Sequence, residues 1–195
     1  MTKLALLRHA PTAWNRDGRM QGRIDIPLLP ESRAALARCR IPDAFAGFRA
    51  LCSPLQRCIE TAAALRLVVS TDARLVEMDW GAYQGRTLAE LRAEHGDRFA
   101  HEEAHGLDFR PPGGESPRDV QARIASLLAE VGRHGRPILA ITHRGVVRAI
   151  HALARNWDMV GKPPDDMDPH ALQLFDVDAE GQPRVSRLNI PLERR

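Results

Sequence analysis

Lysine is almost missing from this chain: of its 28 basic residues only Lys3 and Lys162 are not arginine. Aromatic side chains make up 5% of the sequence, which leaves little for the stacking platforms that nucleic-acid binders use. The net charge of +3 raises nucleic acid as one partner, but it is spread along the chain rather than gathered into a patch, and an anionic small molecule explains the balance as well as a polynucleotide does; no nucleic-acid partner is expected. Arginine suits a small anion because its planar fork grips phosphate or carboxylate at two points. Cysteine is scarce too. Cys39, Cys52 and Cys58 are odd in number and lack CxxC spacing, which excludes a disulfide framework or a zinc ribbon and leaves small buried hydrophobes. Cys52, at the end of a candidate strand, could be a nucleophile, but no phosphate-cradling glycine loop follows it. No apolar run approaches the length of a bilayer span, and Arg8 cuts short the only stretch that resembles a secretory leader. No membrane partner and a cytoplasmic location are expected.

What is present is an ordinary globular mixture, 44% hydrophobic and 27% charged over 195 residues, with no shift in composition that would divide it. A single domain over 1–195 is expected. Short continuous apolar runs alternate with helical patterns, the mark of an α/β layer fold with parallel strands buried on both faces. Strands are expected at Leu4–Leu7, Arg49–Cys52 and Ile138–Thr142, with a closing hairpin at Leu172–Val177 and Val185–Asn189. A helix is expected around Glu31–Arg40. Another should start at Ser53–Pro54, with Leu55, Ile59, Ala62 and Ala63 as its apolar stripe and Arg57 off it. Thr87 to Glu90 reads as a capping box, and so does Ser116 to Asp119 before a long helix striped by Val120, Ile124, Leu127, Leu128 and Val131. The last helix carries Val146, Val147, Ile150 and Ala154, and Asn156–Pro169 should be a loop.

Chemistry gathers at the carboxyl ends of the strands, where open α/β sheets hold their ligands. Arg8 and His9 follow the first strand, Arg57 follows the second, and His143 lies between a strand and the N-terminus of a helix. Phosphoryl transfer asks for positioning and charge neutralisation. Arg8 and Arg57 could grip the equatorial oxygens, His143 could donate to them, and His9 could attack phosphorus in line. His9 must be neutral for that, with its other nitrogen held by a backbone carbonyl of the following loop. A carboxylate must protonate the leaving oxygen and later activate water. Glu77, in an apolar and aromatic setting that would favour its protonated form, and Asp79 are the candidates, and the residues themselves scarcely separate them. Each of these side chains also has a plain structural role open to it, as a satisfied half-buried histidine or a capping carboxylate.

The segment Leu7-Arg8-His9-Ala10-Pro11-Thr12-Ala13-Trp14-Asn15 resembles the signature of the histidine phosphatase superfamily, in its phosphoglycerate-mutase-like branch. Gln21 to Leu28 is similar to the branch's substrate loop. Ser53 to Arg57 with Glu60-Thr61-Ala62 resembles its second-arginine helix, and Leu75 to Gly85 its acid-bearing segment. Pro112 to Ser116 and Thr142-His143-Arg144-Gly145 complete six motifs in order. The resemblance implies a three-layer α/β/α sandwich around a mostly parallel sheet. It implies His9 as the phosphorylated residue and Glu77, rather than Asp79, as the proton donor. Arg8, Arg57, His143 and Asn15 would contact phosphate, Gln21 and Gly22 would lie near substrate, and no metal or cofactor is called for. Three positions depart from the pattern: Ala10-Pro11 replaces a common Gly-Glu and stiffens the turn, Leu29 to Ser32 replaces a Thr-containing helix start, and Arg144 stands where glycine is usual. Arg144 either adds a cation near phosphate or points to solvent.

Glu77 to Gly85 looks more like the phosphatase version than the mutase version of this segment. The expected activity is therefore hydrolysis of a small phosphomonoester such as a sugar phosphate, a nucleotide or ribazole phosphate, with mutase-type transfer as the alternative. A different class is raised by His101-Glu102-Glu103-Ala104-His105, which fits the H-E-x-x-H pattern of zinc hydrolases. Gly106 and Pro111-Pro112 follow at once and no apolar stripe supports a buried helix, so a charged surface helix is the expected home of both histidines. A phosphate sensor without catalysis is the third reading, and the presence of both His9 and Glu77 speaks against it.

Overall fold

A computed structural model describes residues 1–195. Six strands form one sheet in the order β4-β3-β5-β1-β6-β7. Its centre is β1 (Thr2–Arg8), paired in parallel with β5 (Ile138–Thr142), which in turn pairs in parallel with β3 (Arg49–Cys52) and that with β4 (Ser70–Thr71). The hairpin of β6 (Leu172–Val177) and β7 (Pro183–Ile190) adds two antiparallel strands on the other side. The mixed α/β fold and mostly parallel sheet expected from the sequence are present.

The continuous apolar runs are explained by where they lie. Alternate residues of β1 feed opposite cores: Leu4 and Leu6 pack in a cluster with Val120, Ile124 and Ile150, while Ala5 and Leu7 pack with Phe45, Leu65 and Leu139. A central strand covered on both faces has no solvent side on which a polar residue could alternate. The first cluster is supplied by α6 (Pro117–His134) and α7 (Arg144–Arg155). Ser116 and Asp119 form the reciprocal capping box of α6, Pro117 occupies its first turn, and Gly135 ends it in the left-handed conformation at φ 63°. All five residues of its expected stripe are buried.

Two expectations about helices are corrected. The first long helix ends early: α2 covers Pro30–Leu36, buries no residue, and gives way to β2 (Cys39–Arg40), which pairs with the C-terminal β8 (Glu193–Arg194). With no apolar face to hold it, a helix continuing to Arg40 loses to a tertiary strand pairing. The second helix, α3, covers Gln56–Ala64 with Leu55 rather than Ser53 at its N-cap. Its buried face is Arg57, Cys58, Thr61 and Ala62, while Ile59 is 36% exposed, so Arg57 lies on the inward face and not off it. Ser53 is diverted from capping by a bond to His143, described below.

Candidate active site

Register brings the site together. Arg8 is level with Thr142 and Cys52 is level with Ile141, so the residues following the three central strands, His9, His143 and Ser53, emerge side by side. The His9 N–H donates to the Thr142 carbonyl at 2.9 Å, and the Ser53 N–H donates to that of Ile141 at 2.9 Å. The two imidazole rings have their centroids 5.2 Å apart. A cavity of about 720 Å³ opens at this edge and is lined by Arg8, His9, Asn15, Gln21, Gly22, Arg57 and Glu77, among others. Seven of the eight expected site residues therefore share one cavity.

The state of His9 follows from its partners. Its Nδ1 lies 2.7 Å from the Ala10 carbonyl oxygen, which only accepts, so Nδ1 carries the proton and Nε2 keeps a free lone pair. Burial, reinforced by the charges of Arg8 and Arg57, pushes its pKa well below the usual histidine value. The turn that follows is pinned as well: Thr61 Oγ1 accepts from the Ala10 N–H at 3.0 Å and donates to the Arg57 carbonyl at 2.7 Å, tying the signature loop to α3.

His143 is fully buried and is placed differently from expectation. Arg57 Nε donates to its Nδ1 at 3.3 Å, which puts the imidazole proton on Nε2, where it faces Ser53 Oγ at 2.7 Å. Both nitrogens are thus engaged by protein, and the ring stands behind Arg57 rather than on the cavity wall. It too is held neutral by burial and by the cations around it. To donate directly to a phosphoryl oxygen it would have to exchange one of these bonds. Arg57, 0% exposed, also donates to the carbonyls of Gly22 at 2.7 Å and Ile24 at 3.0 Å, so the loop beginning at Gln21 and the guanidinium hold one another in place. Gly22 has φ of +56°, and a Cβ there would collide with Gln84, whose Oε1 accepts from Arg23 N–H at 2.6 Å. Asn15 closes the box of the short α1 (Ala13–Arg16): its Oδ1 accepts from the Thr12 N–H at 3.1 Å, which leaves the amide NH2 as its free donor.

The two carboxylates part company here. Glu77 lines the cavity and accepts from the Met78 N–H at 2.9 Å and the Gly145 N–H at 3.0 Å, at the first turn of α7. Leu75, Met78 and Trp80, close to it in sequence, belong to the larger apolar cluster, while the carboxylate itself is held by backbone donors. Asp79 accepts from the Gly81 N–H at 2.8 Å and faces Arg23 at 3.7 Å, away from the cavity. The zinc-like motif does not assemble. His101 is exposed near the end of α5 (Asp97–Glu103) while His105 lies past it in a turn. Glu102 is occupied by Arg98 at 3.0 Å and by the Tyr83 hydroxyl at 3.2 Å, and no third ligand joins them.

Sequence reasoning missed Ser53 and Thr61 as supports for the histidines, and Gln84 behind Gly22. It also gave Arg148 no role, although Arg148 lines the cavity. The only available signal for Arg148 was its spacing of four residues from Arg144 on one helix.

Two imidazoles and two guanidinium groups thus meet at the carboxyl edge of the parallel strands, an arrangement chemically suited to an oxyanion. The chain belongs to the histidine phosphatase superfamily (branch 1), whose sequence profile matches residues 4–191. A glucosyl-3-phosphoglycerate phosphatase of Mycobacterium tuberculosis is 33% identical, covering 82% of this chain and 80% of the relative. A 2,3-bisphosphoglycerate-dependent phosphoglycerate mutase of Gloeobacter violaceus is 30% identical over 77% and 74%. The structure of a mycobacterial glucosyl-3-phosphoglycerate phosphatase complexed with VO3 superposes with a TM-score of 0.77 at 28% identity, covering 97% of this chain and 100% of that one. No helix of this chain is long and apolar enough to cross a membrane.

Proposed function

We propose that the chain is a single-domain, metal-independent phosphomonoesterase of the cytoplasm that works through a covalent phosphohistidine on His9. The observation that carries this reading is the free Nε2 lone pair of a neutral His9 inside a cage of guanidinium groups. Nε2 attacks phosphorus, the bond from phosphorus to the ester oxygen breaks, and Glu77 gives its proton to the departing alcohol. Water then attacks the phosphohistidine while Glu77 takes the water proton, the N–P bond breaks and phosphate leaves. Arg8 and Arg57, with the Asn15 amide, hold the equatorial oxygens and supply the charge that a metal would otherwise provide. His143 acts chiefly by fixing Arg57 and Ser53, and Gln21 and Gly22 form the wall against the rest of the substrate.

Likeness to a phosphatase and to a mutase supports a small phosphorylated metabolite as substrate and leaves the fate of the adduct to experiment. Quenching the reaction with an aryl phosphate within milliseconds and mapping the acid-labile phosphate should place it on His9, and His9→Ala should lose both adduct and turnover. Turnover with no adduct at His9 would overturn the mechanism. A mutase assay on the same protein should give a rate far below that of hydrolysis.

A further inference from the structure

Arg144 and Arg148 are costly where they stand. They lie four residues apart on α7, hence on one face within about one turn of each other, and like charges at that spacing repel. Both are in the N-terminal half of the helix, the end whose dipole disfavours cations. Arg148 is half-buried, its Nε is buried without a hydrogen-bond partner, and burial together with the charge of Arg144 depresses its pKa. Neither residue enters an ion pair. Of the acids nearby, Asp165 is paired to Arg155 at 2.6 Å and to His151 at 2.8 Å, Asp168 accepts from the His170 N–H at 2.8 Å, and Asp166 comes within 4 Å of neither arginine's charged nitrogens. Yet Arg148 is held in position, its guanidinium 5.3 Å from the centre of the Trp157 ring.

Both arginines line the 720 Å³ cavity beside Arg8, and the same three also line a recess of about 140 Å³ whose far side carries Asp165, Asp166 and Asp168, so the main cavity is where an added anion would meet the pair. Arg8 also has a buried Nε without a partner. Arg8 and Arg57 match the two charges of one phosphoryl group, which leaves the α7 pair without an anion from either the protein or the reacting group. We infer that Arg144 and Arg148 form a second oxyanion subsite, so that the preferred substrates are phosphomonoesters bearing a further carboxylate or phosphate. The inference rests on the phosphatase reading above. It assigns a role to Arg144, whose side chain is exposed at the mouth of the cavity, and makes Arg148 the deeper, more selective contact.

The test is a matched pair of substrates, 3-phosphoglycerate against glycerol 1-phosphate, with fructose 1,6-bisphosphate against fructose 1-phosphate as the phosphate arm. The wild type should favour the member with the second anionic group in at least one pair by tenfold or more in kcat/KM. Arg148→Gln should cut that ratio by at least tenfold and Arg144→Gln by about threefold, with Arg148→Lys recovering part of the loss. Whichever pair responds identifies the anion as carboxylate or phosphate. Equal kcat/KM within both pairs, or ratios untouched in both Gln variants, would overturn the subsite. Binding is read apart from turnover by calorimetry with the same compounds on His9→Ala. Tighter binding of the member with the second anionic group, without hydrolysis of any ester by the wild type, would sink the hydrolase reading and keep the subsite. Hydrolysis without preference would do the reverse. If Arg148→Gln does not fold, the exposed Arg144→Gln decides.

Discussion

Two regions of the molecule carry paired histidines, and they could hardly differ more. At the sheet edge, His9 and His143 are separated by 134 residues of sequence, yet their rings stand 5.2 Å apart, His9 with one nitrogen held by a backbone carbonyl and His143 with both nitrogens engaged by protein. On α5 and the turn after it, His101 and His105 are neighbours in sequence and their rings are 5.5 Å apart, but both are exposed and the intervening glutamate is bound to Arg98 and Tyr83. Proximity of two imidazoles is therefore not what makes a site. The difference lies in the surroundings. Parallel strand pairing fixes the first pair in a buried frame with two guanidiniums and a helix N-terminus, whereas the second rides on a short helix that buries only Phe99. Burial makes His9 neutral and holds its tautomer, and exposure leaves the surface pair to water.

The strongest way to test that contrast is to disturb the carboxylate that only the buried pair possesses. Glu77→Gln keeps the shape and the acceptor for Gly145 N–H but cannot deliver a proton. Hydrolysis of an alkyl phosphate should fall by about 10²–10⁴-fold, the usual worth of a general acid, while an aryl phosphate with a good leaving group should suffer far less. Steady-state rates on the two esters decide it, and equal losses on both would remove Glu77 as the proton donor. Asp79→Asn, by contrast, touches only a turn cap and the Arg23 contact, so it should affect both esters alike.

A smaller effect concerns proton binding. His9 and His143 both have pKa values pushed well below the ordinary one by burial. Below about pH 6.5 the unfolded chain binds protons at these positions that the folded protein refuses. Stability is therefore undiminished above that pH and declines as pH falls through it, by up to about 1.4 kcal/mol per pH unit for each residue. Urea unfolding at pH 7.5 and 5.5 should show this loss in the wild type and a shallower one in His9→Asn. A slope in His9→Asn as steep as in the wild type would show that burial of this imidazole does not couple its protonation to folding.

Much of this was legible from the sequence for a physical reason. The central strands are buried on both faces, so β1, β3 and β5 announce themselves as continuous apolar runs, and the residues just beyond them were readable as a site. Capping boxes at Thr87 and Ser116 are local chemistry and were equally plain. What could not be read was set by contacts across the chain. Ser53 before Pro54 has the look of a helix cap, but its hydroxyl meets His143, 90 residues away. The inward rotation of α3 depends on a buried arginine, and an apolar stripe drawn through Leu55 and Ile59 points the wrong way because a charge occupies the face a hydrophobe would normally take. Glu77 could be told from Asp79 only by family likeness, since what separates them is which one reaches the amides of α7.

The smallest expected effect is at the surface pair itself. Removing either imidazole, as His101→Ala or His105→Ala, breaks no buried bond: His105 Nδ1 meets only the Glu102 carbonyl of its own turn, at 3.1 Å. Substitutions of exposed residues away from such contacts generally change stability by no more than about 0.5 kcal/mol, and activity on an aryl phosphate should stay within about twofold by the same measure, 0.5 kcal/mol being roughly a factor of two in rate. Dialysis against EDTA should leave the wild type equally active. The outcome to look for is a joint one. If EDTA abolished hydrolysis, zinc restored it, and His101→Ala lost the zinc response, catalysis would belong to the exposed pair. Zinc would then have to recruit a third ligand by remodelling α5, because Glu102 and Glu103 are both paired to arginines, Arg98 and Arg92, at 3.0 Å. The salt bridges that hold those acids cost little to break, so ligand scarcity alone does not forbid such remodelling. The exposure of both imidazoles weighs against it, since neither lines the cavity and a metal held between them would stand in open water rather than in an enclosed site.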